Sequence, residues 1–509
     1  MKKTRLISCL LAAALLLALA GCAPGGEQPG EPSPGDPAET GSALPSPESP
    51  AAVPFALPVF MGSSFHPVQC ANRTNLTLMP LIYEGLFAQD NTFTPQPVLC
   101  ESWQADVSGL TWTFTLRAGV TFSDGTPLTA DRAAASLRAA MGADSRYANR
   151  LSRLKTVTAD GDRTVTVTLN APHGNLPALL DVPIYLEREE GCLGTGPYAL
   201  AGTADSPSLQ ARPDWWQGKS LPTREIPLTA VEQTEDLIHA FDTREAGLVL
   251  TDLTGTAALG YSASYEVWDY PTTTMIYLVF NTQSGRCGDL RLRQGMARGV
   301  DRASITNSLF ARRVTAAQLP VSPASPLYDE DIGRILDYDV SMMNSLLEQS
   351  GHRGALTLVV NSENSFKAST ADFLAAQWTG AGLEVTVKKL GWEDYVAALE
   401  RGDFDLCLAE VSLTADFDLT ELLASGGGLN YGRWSDTGTD GLLEAFRSAR
   451  DGDARKEAAR ALYTHLAEQV PLVPICFKNY SVLTQWRSVT GLTPTQNDPF
   501  YGLNWSLTQ

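Results

Sequence analysis

Signatures of catalysis are missing from this 509-residue chain. It has five histidines, His66, His173, His239, His352 and His465, and none forms an HExxH pair or stands beside a cysteine cluster. Such spacing would be needed to hold zinc on one helix face. No GxSxG elbow is present, which removes the ordinary α/β-hydrolase arrangement. Gly191–Tyr198, GCLGTGPY, is glycine-rich but lacks the GK[ST] ending of a phosphate loop. Pro197 follows Gly196 directly and no helix pattern follows Tyr198, so the segment reads as a turn before a strand. A carboxylate pair for glycoside hydrolysis is not marked by any motif. Basic residues are also in the minority. A formal charge of −19 leaves no cationic field with which to release phosphate counterions, so nucleic acid is excluded as a partner.

Beyond the N-terminus, no apolar run reaches membrane-spanning length. The N-terminus itself has a basic start, Met1–Arg5, an apolar stretch from Leu6 to Ala20, and the ending Leu19-Ala20-Gly21-Cys22. This pattern predicts an export signal over residues 1–21. Residues 23–50 contain no Lys or Arg and almost no large apolar side chain, so they cannot offset ordering entropy by burial. Residues 22–54 are therefore expected to tether a globular body outside the cytoplasm. The other cysteines beyond Cys9, namely Cys70, Cys100, Cys192, Cys287, Cys407 and Cys476, are dispersed and show no CxxC. Export permits disulfides, but six cysteines allow fifteen pairings and sequence does not choose among them. Cys407, inside FDLCLAEV, is expected to be buried as a small hydrophobe.

Hydrophobic residues make up 44% of the chain, and its length requires more than one core. The strongest local pattern is Leu110–Ala140. Trp112, Phe114 and Leu116 alternate with threonines, Asp124-Gly125 marks a turn, and an alanine-rich helix follows Thr129 as its expected cap. Thr164–Leu169 alternates as a strand. From Leu356 the chain reads strand, helix, strand, helix, strand, ending near Ala409, which implies an α/β domain with parallel pairing. A further helix is expected over Ala454–Gln469 and a strand over Pro471–Phe477.

Aromatics and acids supply the binding candidates. Trp392, Tyr431, Trp434, Trp215 and Trp216 lie beside polar or loop segments, Tyr431 and Trp434 after Gly426-Gly427-Gly428, which reads as flexible. Flat apolar walls with a few fixed polar groups suit a solute cleft. Asp416 and Asp418 follow the strand ending near Ala409, at the carboxyl end where α/β sheets place ligands. One of them is suited to a cationic group. The bland readings are a core tryptophan at a helix start and solvated loop carboxylates.

These segments together resemble family 5 of the bacterial extracellular solute-binding proteins, which serve ABC importers of oligopeptides, dipeptides and nickel. The resemblance rests on Trp112–Ala140, Leu81–Phe87, Gly194–Tyr198, Phe280-Asn281 with Asp289–Arg293 and Gly299–Arg302, Phe404-Asp405, Asn430-Tyr431, and Val470–Pro474. The ending at Cys22 resembles the bacterial lipobox, which implies lipidation of Cys22 and anchoring to the cell membrane. The implied fold is α/β, two-lobed and periplasmic-binding-protein-like (type II, cluster C), with an extra α/β domain inserted in the first lobe. Implied limits are 55–75, 187–267 and 485–509 for the first lobe, 76–186 for the insertion and 268–484 for the second lobe. The implied function is capture of a peptide or similar small solute between lobes by a monomer, and delivery to permease subunits driven by a separate ATPase. No catalysis and no cofactor are implied. Trp392 falls where the family often lines its ligand, and Ala415-Asp416-Phe417 is similar to a motif whose Asp holds a peptide α-amine. Leu413, Leu399 and Leu408 depart from the tryptophan and arginines that some peptide binders carry. The alternative is a secreted, lipid-anchored hydrolase acting on peptide or glycan.

Overall fold

The computed structural model describes residues 55–508, apart from Ala204, Ala257 and Asp451. The expected leader, Cys22 and the tether lie outside the described residues.

Two long strands organise the second half of the chain. Tyr265–Phe280 and Leu472–Gln485 run antiparallel at the centre of a seven-stranded sheet. Only their second-lobe portions, near Met275–Phe280 and Pro471–Phe477, are apparent as apolar runs in the sequence. The remainder is hidden because a register shift between Pro271 and Met275 interrupts the alternation. On one side Leu472–Gln485 pairs with Leu248–Thr251 from the first lobe. On the other side Tyr265–Phe280 pairs with Leu406–Ser412, followed by Ala355–Asn361 and Glu384–Leu390. The last three strands are mutually parallel, as their alternation with the helices Ser365–Gly380 and Trp392–Arg401 requires. One sheet thus joins the two lobes, and its parallel strands all end at the same edge.

The first lobe contains a four-stranded sheet in the order Leu57–Phe60, Glu225–Val231, Ser206–Ala211, Tyr198–Thr203. The glycine-rich stretch before it is a packing device. A Cβ on Gly194 would stand 1.8 Å from the Ile82 carbonyl oxygen, and the Gly196 N–H donates to that same oxygen at 2.9 Å. Close backbone approach, with no anion involved, explains the glycines.

In the inserted segment, Cys100–Ala105, Thr111–Leu116, Thr164–Leu169 and Leu154–Asp160 form an antiparallel sheet. Trp112, Phe114, Leu116, Val165, Val167 and Leu169 are buried, as period-two alternation predicts. Helix Ala130–Ala140 has the expected limits and buries Ala133, Ala134, Leu137 and Ala140. Thr129 occupies the cap position, but its side chain makes no capping bond, and the Ala130 N–H is satisfied instead by the Asp162 carbonyl. The insertion and the first lobe share one continuous core, from Leu57 through Phe114 to Trp505, and the second lobe has its own. Phe93 crosses between them: it belongs to the inserted segment yet packs edge-on against Phe417 in the second-lobe core.

Candidate binding site between the lobes

The parallel strands Ala355–Asn361, Glu384–Leu390 and Leu406–Ser412 present their carboxyl ends towards the first-lobe strand Leu248–Thr251 and its continuation. Trp392 starts its helix directly after one of these ends and is 58% exposed. Its backbone N–H donates to Glu363 Oε1 at 3.1 Å, which fixes the helix start beside a carboxylate.

Beside it, side chains of alternating charge bridge the lobes. Lys367 Nζ lies 3.3 Å from Glu410 Oε2, Lys478 Nζ lies 3.6 Å from Glu410 Oε1, and Lys478 also donates to Asp252 of the first lobe. Lys478 is only 1% exposed. Burial pushes its ammonium pKa down, but Glu410 and Asp252 more than compensate and hold it above the usual value. The Asn364 amide donates to the Thr254 carbonyl across the same boundary at 3.1 Å. Sequence reasoning passed over Lys478, Asp252, Glu410 and Lys367 as ligand-site groups. The available signal was Lys478 itself, a lone cation inside the apolar run LVPICFK.

Asp416 is placed differently from its expected role as an open amine acceptor. It is 2% exposed, and its Oδ2 accepts from His173 Nε2–H of the inserted segment at 2.9 Å. Its Oδ1 accepts from the Thr414 hydroxyl. Burial pushes its carboxyl pKa up, yet the His173 bond and the charges of His173 and Arg455 outweigh that and hold it well below the usual carboxylate range. The neighbouring Asp418 pairs with Arg153 at 2.9 Å, and the Gly174 N–H donates to the Arg447 carbonyl at 2.7 Å. The inserted segment therefore clasps the second lobe at the position predicted to receive ligand.

Trp434 is separated from Trp392 and Asp416. Thr282 bonds Gly432, just beyond Phe280, which pairs with the first residue of Leu406–Ser412, whereas Ser412 pairs with Thr274. Six residues of strand, about 20 Å, lie between these ends. Trp434 is half-buried, donates from Nε1 to Thr439 Oγ1 at 2.9 Å and lies 5.5 Å from the Arg293 guanidinium. Tyr431 packs against the second-lobe core. Of the glycines before them Gly427 is packed, since a Cβ there would lie 2.5 Å from the Glu421 carbonyl oxygen, whereas Gly426 stands in open space. Among the described residues, no group of three or more His, Cys, Asp or Glu is arranged to hold a metal, and the six described cysteines are unpaired. Cys407 is buried as expected.

The family model "Bacterial extracellular solute-binding proteins, family 5 Middle" matches residues 94–428. The chain belongs to this family. As a family 5 protein it is the substrate-binding component of an ABC importer, and it binds its substrate without transforming it. It is similar to the "Probable deoxycholate-binding periplasmic protein YgiS" of Escherichia coli, with 23% identity covering 81% of this chain and 85% of the relative. Among solved structures it is similar to HbpA2 from Haemophilus parasuis, with a TM-score of 0.75, 19% identity and coverage of 90% and 100%. It is also similar to the unliganded open form of the murein tripeptide-binding protein MppA, with a TM-score of 0.74, 19% identity and coverage of 89% and 96%. At these identities the structures establish the two-lobed fold of the family 5 protein.

Proposed function

We propose that this family 5 protein carries a peptide or a similar small zwitterionic solute in the seam bounded by Trp392, Glu363, Lys367, Glu410, Lys478 and Asp252. The observation that carries the reading is the bridge from Asp252 through Lys478 and Glu410 to Lys367. Both signs of charge are held at one seam, partly buried, and satisfy each other there. An amine and a carboxylate on one solute can replace those mutual contacts group for group, while Trp392 supplies a flat apolar wall. Closure is then favoured only to the extent that the solute binds the closed arrangement better than the open one. Relatives whose names refer to deoxycholate and a murein peptide support a small-solute cargo in this family without fixing its chemistry.

In this reading Tyr431 and Trp434 support the second lobe from its far end, and Asp416 acts in closure through His173. The protein works as a monomer, held at the cell membrane by lipid on Cys22, and passes its solute to permease subunits powered by a separate ATPase. Native mass spectrometry of the freshly purified protein, followed by calorimetry with the recovered solute, tests the assignment. The expected result is one zwitterion per chain, with affinity lost in Lys367→Met and Trp392→Ala. A recovered solute without ionic groups, bound equally by both variants, overturns it.

A further inference from the structure

One cavity has none of the seam residues in its lining. It encloses about 840 Å³ and is lined by residues from the first lobe, the inserted segment and the C-terminal stretch 495–503, with no contribution from the second lobe. Such a volume suits a drug-sized molecule. Trp215, Trp216, Tyr147, Phe500 and Tyr501 provide flat walls. Four cations, Arg117, Arg146, Arg150 and Lys219, reach the same space. Arg146 and Arg150 both lie over the Tyr147 ring, at 4.5 and 4.7 Å, and Arg117 lies 5.6 Å from the Trp216 ring.

The opposing acids do not balance these cations. Asp181 is committed to Arg150 and to the Asn497 amide. Burial pushes Glu84 up to about 7 despite bonds from Trp216, Thr195 and Gln217, and burial pushes Asp498 up to about 7 despite a bond from the Phe500 N–H. At neutral pH the lining is therefore net cationic. The Nε of Arg150 is buried without a hydrogen-bond partner. Lys219 stands exposed at the rim.

We infer that this cavity is a second ligand site, separate from the solute seam, for an aromatic carboxylate whose ring lies among Trp215, Trp216 and Tyr147 and whose charge meets Arg146, Arg150 and Lys219. An apolar ring gains from burial against the aromatic walls, and a carboxylate matches the planar donors of arginine. The site belongs wholly to the first-lobe body, so its occupancy does not require the lobes to close.

The test is equilibrium dialysis of the full chain with 2-naphthoate, its cationic analogue 2-naphthylmethylamine and its neutral analogue 2-naphthol. Saturable 1:1 binding of naphthoate is expected, with a dissociation constant between about 10 μM and 1 mM. Lys219→Glu, a change on an exposed side chain, should weaken it about 3- to 10-fold. Trp392→Ala in the seam should leave it unchanged. Equal binding of all three probes refutes the charge assignment. Loss of binding in Trp392→Ala, or no saturation below about 5 mM, refutes the site.

Discussion

Replacing Asp416 by Asn keeps the side chain's size and removes one charge from the contact between the inserted segment and the second lobe. Two effects follow from the surroundings. The His173 bond falls from charge-assisted to neutral, a loss of about 1–2 kcal/mol. Arg455 then loses its nearest anion. This arginine is buried, its Nη2–H donates to the Asp416 carbonyl at 2.6 Å and its Nη1–H to the Phe446 carbonyl at 3.3 Å, its Nε is unpartnered and its guanidinium lies 4.2 Å from the Phe446 ring. Burial already holds its pKa down, with Asp416 as the main opposing influence. Stranding such a charge costs about 3–5 kcal/mol. Urea unfolding at pH 7 should show Asp416→Asn destabilised by about 4–7 kcal/mol and His173→Ala by about 1–3 kcal/mol. Adding Arg455→Met to Asp416→Asn should recover at least about 1 kcal/mol as coupling. Asp416 has a folded-state pKa below its unfolded one, so its contribution is fully present above about pH 4 and disappears as pH falls through the folded value. The difference between wild type and Asp416→Asn should therefore shrink only on the acid side. With ligand present, free-amine and acetylated peptides should lose affinity equally in Asp416→Asn, because the carboxylate acts through His173. A stability loss below about 1 kcal/mol, an additive cycle, or a loss confined to free-amine peptides refutes the reasoning.

Three further perturbations probe other parts of the chain. Trp392→Ala should leave the unfolding free energy in urea within about 0.5 kcal/mol of wild type, because the ring is exposed, while solute affinity measured by calorimetry falls about tenfold. Gly194→Ala should destabilise by at least about 1–3 kcal/mol in thermal unfolding, since its methyl group would meet the Ile82 carbonyl oxygen. Glu84 has a folded pKa raised to about 7, so the native state holds more protons between about pH 4.5 and 7 and stability falls as pH rises through that window. The contribution is on the order of 3 kcal/mol, and Glu84→Gln should remove that share of the slope from a pH series of unfolding free energies, leaving the share from Asp498.

The sequence made the scaffold readable because it depends on repeated local signals. Trp112, Phe114 and Leu116 alternate, and Val165 and Val167 alternate on the strand paired to them, so each predicts the same buried face independently. The parallel unit from Ala355 to Ser412 was readable for a similar reason: its helices and strands are short, regular and separated by turns. The seam was harder to read. Lys478, Asp252 and Glu410 are separated by 226 and 68 positions, and each alone resembles an ordinary strand-end charge. Their shared role arises only when two long strands carry them across both lobes, and the bulge after Pro271 interrupts the alternation in one of those strands. Asp416 shows the same limit in the opposite direction. Its position after Leu406–Ser412 was readable, but its occupant, His173, is 243 positions away on a loop with no periodicity to predict where it docks. Local pattern thus locates the carboxyl end of a strand, and only the tertiary path decides whether the acid there meets a solute or another part of its own chain.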